Sequence, residues 1–146
     1  MNKANIEKAI AIMRRAEQHD SLYMPDWQCA TNNEEPTLAR DEQALHACGN
    51  RACFGGHVAV SPEFRADGGS CTFQGAPAFD EHIGSDAIRD WLGIDEDTAR
   101  NLVLGNATGP HPGYPGDHSV YYDKIFSDVT PADVIAKLEQ LLEQTK

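Results

Sequence analysis

The sequence predicts a mostly α fold: one small bundle of about five helices with long ordered loops, in which turn residues also permit a short hairpin. Three observations carry this expectation. Apolar residues recur at helical spacing in separate stretches along the chain. Capping residues stand at the starts of most of these stretches, and glycine or proline at several of their ends. The 146 residues, 40% hydrophobic and 24% charged, suit a single globular domain over 1–146 that buries roughly 70% of its unfolded surface.

The first helix is expected to start at Asn2 as cap, with Ile6, Ala9, Ile10, Met13 and Ala16 on one stripe and Arg14 and Arg15 near its cation-favouring C-terminal end. Residues 32–37 read as a loop, and Asp41 to Ala47 as one or two helical turns. A second helix is expected from about Arg51 to Val60, capped by Asn50 and stopped by Pro62. Its glycines each weaken it by about 1 kcal/mol. Four glycines and Pro77 between Asp67 and Gly84 suit a hairpin pinned by Phe73 and Phe79.

Ser85 is the expected cap of a third helix, with Ile88, Trp91 and Leu92 inward and Gly93 ending it. Asp95 caps a fourth, where Ala99, Leu102 and Val103 face the core and Gly105 closes the turn. Gly105 to Ser119 reads as a long loop, in which His111, Tyr114, Asp117 and His118 could serve recognition. The last helix starts at Thr130 with Pro131 in the first helical position. Its apolar stripe is Val134, Ile135, Leu138, Leu141 and Leu142.

Twelve basic residues against 23 acidic ones give a net charge of -11. Such a surface is repelled by nucleic acid and anionic membranes and suits a basic protein partner. Neither a signal-type apolar region nor a run approaching the ~20 apolar residues of a membrane span is visible. The expected location is therefore the cytoplasm, with Cys29, Cys48, Cys53 and Cys71 as reduced thiols.

The densest chemistry lies in residues 48–57, Cys-Gly-Asn-Arg-Ala-Cys-Phe-Gly-Gly-His. Three readings compete. Cys53 and His57, one helical turn apart, could act as nucleophile and base. Cys48, Cys53 and His57 could hold zinc, with Cys29, His46 or Cys71 as fourth ligand, although four intervening residues between the cysteines lie at the edge of knuckle spacing. Alternatively, the thiols act as small buried groups, glycines at 49, 55 and 56 allow close approach of a neighbouring helix, and His57 hydrogen-bonds inside the joint. The preferred reading is the packing joint, with no cofactor and zinc as the alternative.

Between Asp80 and Asp97 stand seven acids and one base, Arg89. The candidate partner-binding residues are Asp86, Asp90, Asp95, Glu96 and Asp97. Helices three and four are spaced like a helix-turn-helix, but phosphates would repel the Asp95-Glu96-Asp97 start of the second. A carboxylate-rich face that enters a basic groove is the expected use.

The 48–57 block resembles the Cys-Gly-Thr-x-x-Cys-(apolar)-x-Gly-His or -Trp signature of short uncharacterised proteins of phages and their bacterial hosts. The shared order is an amphipathic N-terminal helix, a tryptophan stretch (Trp27), the block, and a Gly-x-x-Ala-Ile-x-x-Trp-Leu-Gly segment, here Gly84 to Gly93. This chain departs in having Asn50 and Gly55 where Thr and Ala are expected. The resemblance carries no activity. It implies a phage or mobile-element protein in the host cytoplasm. Combined with the charge, it leads to the expectation of a non-enzymatic protein that docks on, and inhibits, a basic nucleic-acid-handling host protein. The alternative is a zinc-binding or thiol-dependent enzyme centred on Cys53 and His57.

Overall fold

A computed structural model describes residues 1–24, 27, 29–30, 39, 41–46, 50–104, 118–119, 122, 124–125 and 128–144, with backbone alone at 29–30, 104, 118–119 and 124–125. Helix α1 (Lys3–His19) begins where the Asn2 side chain accepts the Asn5 amide at 3.1 Å, meeting a donor that a helix start leaves open. Its expected stripe is buried, together with Ile12. Asp20, left-handed at φ 49°, ends it and returns its amide to Ala16 and Glu17.

Four short elements follow. Strands β1 (Cys29–Ala30) and β2 (Asn50–Arg51) pair antiparallel, with Cys29 opposite Arg51, and helix α2 (Glu42–His46) lies between them in sequence. Helix α3 covers Phe54–Val60, three residues later than expected at its start. Strand pairing overrides helix propensity in the preceding residues. Arg51 is tied to β1, while Ala52 donates to the Ser21 carbonyl at 2.9 Å and accepts from the Tyr23 amide at 2.8 Å. Asn50 is therefore a strand residue. Cys53 is the cap, its sulfur accepting from the Gly56 amide at 3.3 Å.

Helix α3 ends at Val60, just before Pro62, as expected. Pro62 also opens a further short helix, α4 (Pro62–Ala66), at a first-turn position, where a missing N–H costs nothing. Ser61 serves both helices. Its hydroxyl donates to Val58 O at 2.8 Å and accepts from Phe64 N at 3.2 Å.

The expected hairpin is a three-stranded antiparallel sheet of β3 (Ser70–Cys71), β4 (Pro77–Phe79) and β5 (His82–Ile83), in that order. Phe79 pins it to the core, while Phe73, contrary to expectation, is exposed. Helices α5 (Ser85–Leu92) and α6 (Glu96–Leu104) pack against each other across Gly93, whose φ of 67° makes the reversal. Gly84 stands at the α5 cap in place of Ser85, with φ 68° and no side-chain cap bond. Strands β6 (His118–Ser119) and β7 (Lys124–Ile125) pair antiparallel, and helix α7 (Pro131–Glu143) closes the chain. The Gly105 closure and most of the Gly105–Ser119 loop lie outside the described residues.

Helix α7 carries the expected Thr130 cap, completed as a capping box by Asp133, and packs chiefly along α1 with Val134, Leu138 and Leu141 buried. Phe54, Phe64, Trp91, Ile6, Met13 and Leu138 belong to one apolar core, with Phe64 edge-on to Trp91 at 5.2 Å. Polar ties cross it. Asn5 donates to the Trp91 carbonyl at 2.8 Å, and the Asp67 carboxylate accepts from Trp91 Nε1 at 2.9 Å and Lys8 Nζ at 2.8 Å. The Asp67 carboxyl is consequently held below the usual range, by Lys8 first and Trp91 second. The result is a small, mostly helical fold. Among the described residues, no helix is long and apolar enough to cross a membrane.

Candidate functional site

The described part of the Cys-His block, residues 50–57, forms a joint at the N-terminus of α3. Every residue from Ala52 to Val60 is buried. The glycines serve one neighbour: a Cβ at Gly56 would strike the Trp27 carbonyl oxygen and come within 2.8 Å of Ala52 Cβ, and one at Gly55 would meet the Trp27 ring. The close approach expected of a neighbouring helix is made at Gly55 and Gly56 by the non-helical Trp27, and only Gly allows it; Gly49 lies outside the described residues.

Cys53 and His57 have different hydrogen-bond partners. Cys53, 2% exposed, caps α3. His57, fully buried, has Nε2 2.8 Å from the Ser21 carbonyl oxygen. A carbonyl can only accept, so Nε2 carries the proton and the neutral ring keeps a lone pair on Nδ1. That Nδ1 is buried and has no hydrogen-bond partner. Burial drives the His57 pKa down to about 4, against the Ser21 bond that favours the cation.

Two further imidazoles complete the cluster. The His46 ring lies 5.7 Å from the His57 ring, and His19 stacks on His46 at 4.0 Å. His46 Nε2 is also buried without a hydrogen-bond partner, and burial followed by the His19 charge lowers its pKa. Beside them, Arg15 is clamped by two acids. Its terminal nitrogens reach Glu63 at 2.8 and 2.7 Å, and its Nε reaches Glu42 at 3.0 Å, so its pKa is raised, chiefly through Glu63. This bidentate fork pins α2 and α4 to α1.

Cys48 lies outside the described residues, as does the side chain of Cys29. Cys71 sits on β3, its sulfur 3.4 Å from the Thr72 carbonyl oxygen. Among the described residues, no group of three or more His, Cys, Asp or Glu side chains is arranged to hold a metal. No spacing or motif marks Ser21 as the partner of His57. Nothing in the spacing of His19 and His46 pairs them with each other or with His57.

The acidic residues form the second candidate site, and most have local roles. Arg89 pairs with Asp86 at 3.4 Å and with Asp90 at 3.0 Å. His82 Nδ1 stands 2.5 Å from the other Asp90 oxygen. Burial pushes the Asp90 carboxyl up, but the Arg89 and His82 bonds outweigh it and leave it below the usual range. Asp95 caps α6 by accepting the Thr98 amide at 2.8 Å and hydroxyl at 2.7 Å, and these bonds, the backbone one first, lower its pKa. Glu96 pairs with Arg100 at 2.9 Å but remains 58% exposed. Asp97 is exposed.

Two acids outside the expected set complete this surface. Asp80 and Glu81 form the turn between β4 and β5, both exposed, with φ of 50° and 68°. Such a turn normally favours Asn-Gly. A groove of about 300 Å3 borders it.

Fold and surface together define a small acidic helical domain built around a buried Cys-His joint. No protein-family model, curated protein or solved structure matches this chain.

Proposed function

We propose that this protein is a non-enzymatic interaction module of phage or mobile-element type. It docks its acidic surface on a basic, nucleic-acid-handling host protein in the host cytoplasm and blocks that protein's cationic groove. The observation that carries this reading is the net charge of -11 combined with exposed carboxylates at Asp80, Glu81, Glu96 and Asp97. The local pairs do not neutralise this surface. Arg89 and Arg100 each answer acids beside them, and the excess remains.

The distribution of roles refines the docking set. Asp95 is a helix cap, and Asp86 and Asp90 share Arg89, so Glu96 and Asp97 are the better contacts of the five. Cys53 and His57 support the non-enzymatic reading, because both are buried and these bonds run from the Gly56 amide to the Cys53 sulfur and from His57 Nε2 to the Ser21 carbonyl, not between thiol and imidazole. The test is a pull-down from bacterial lysate with the intact chain at low salt. Enrichment of basic proteins that is lost in a Glu96→Lys/Asp97→Lys variant supports the reading; enrichment of nothing defeats it.

A further inference from the structure

We propose that the groove beside the β4–β5 turn receives a lysine or arginine side chain of the partner protein, while an apolar neighbour of that residue rests on Ile83. This rests on the docking reading and names its point of recognition. The groove is lined by Ala78, Phe79, Asp80, Glu81, His82 and Ile83, among others. That lining joins apolar surface to two carboxylates, the combination that suits a long aliphatic stem with a cationic head.

The cation would meet unneutralised charge. Among the described residues, no basic side chain pairs with Asp80 or Glu81, because Arg89 is engaged by Asp86 and Asp90 and His82 faces Asp90. Apolar anchorage is present on the same sheet. Ile83 is 65% exposed on β5, an edge strand, and Phe73 is 74% exposed in the β3–β4 turn. Charge complementarity therefore selects the occupant: a cationic segment with an apolar residue, rather than an acidic or purely apolar one.

The experiment titrates the isotope-labelled full chain with acetyl-Leu-Arg-Leu-amide and with its Leu-Gln-Leu counterpart, following amide resonances. The arginine peptide is expected to shift Ala78 to Ile83 saturably, and the glutamine peptide to bind about tenfold more weakly. The double variant Asp80→Asn/Glu81→Gly removes both charges yet installs the favoured Asn-Gly turn, so its fold is retained and its affinity for the arginine peptide falls about tenfold. Ile83→Ser is expected to weaken the same peptide. Equal binding of the two peptides, or shifts centred on Glu96 and Asp97, overturns the assignment. A lysate partner that still binds the Asn-Gly variant overturns the groove alone; no partner for any form overturns the docking reading as well.

Discussion

His57 presents its Nε2 to the Ser21 carbonyl oxygen at 2.8 Å, leaving its Nδ1 buried and without a hydrogen-bond partner. The bond joins α3 to the turn that follows α1, and it fixes which nitrogen carries the proton. An imidazole held in this way is a neutral structural element. The cost of keeping it neutral grows in acid.

Stability is therefore expected to fall between pH 6.5 and about 4. The folded pKa of His57 lies below its unfolded value of 6.5, so the unfolded chain binds the extra proton in this window and acid favours unfolding. The loss attributable to His57 approaches about 3 kcal/mol below pH 4. His46, also lowered, adds to it in the same direction. Urea midpoints measured across this range for wild type and His57→Gln check the claim: the variant is less stable at pH 8 but has a flatter profile. Asp67, Asp90 and Asp95 contribute to acid sensitivity only lower, near and below the usual carboxylate range.

The two glycines facing Trp27 should differ in cost. Gly56→Ala drives a methyl into backbone, the Trp27 carbonyl, which cannot swing aside; Gly55→Ala meets the ring, which can. Gly56→Ala is expected to destabilise by about 3 kcal/mol and Gly55→Ala by less, read by thermal unfolding.

Asp67→Ala removes the acceptor of both Trp91 Nε1 and Lys8 Nζ. An indole N–H at the core edge then loses its partner, for an expected loss of about 2 kcal/mol. Lys8→Met leaves the indole bond intact and should cost less in the same denaturation experiment.

Charge reversal at the start of α6 should separate folding from docking. Asp95→Lys deletes a cap and is expected to cost about 1 kcal/mol, whereas Asp97→Lys leaves stability nearly unchanged. Circular dichroism melts compare the two. A triple reversal that includes Asp95 would confuse lost binding with lost structure.

The helical fold was legible because local signals agreed with tertiary placement. Asn2, Asp95, Thr130 and Pro131 serve at their helix starts, and the stripes of α1, α5 and α7 face the core. The misreadings arose where distant pairing decided the outcome. Arg51 looked helical, but Cys29, far away in sequence, fixed it in a strand. Pro62 does mark the end of α3, but the short helix that starts at it depends on Ser61's double hydrogen bonding, which the spacing does not encode. Within the site, burial of the Cys-His block was readable from its glycines, whereas the Trp27 contact, the Ser21 partner and the histidine stack depend on chain crossings that no spacing encodes. Among the acids, composition announced the charge but could not separate caps from exposed contacts.

The central claim is that exposed carboxylates dock the chain on a basic partner. The most direct measurement is recovery of basic proteins from bacterial lysate by wild type and by an Asp80→Asn/Glu81→Gly/Glu96→Gln/Asp97→Asn variant, over a series of salt concentrations. Recovery by wild type that declines steeply as salt rises, and is lost in the variant while its melting temperature holds, is the predicted result. Equal recovery by the two proteins, or recovery indifferent to salt, would contradict it.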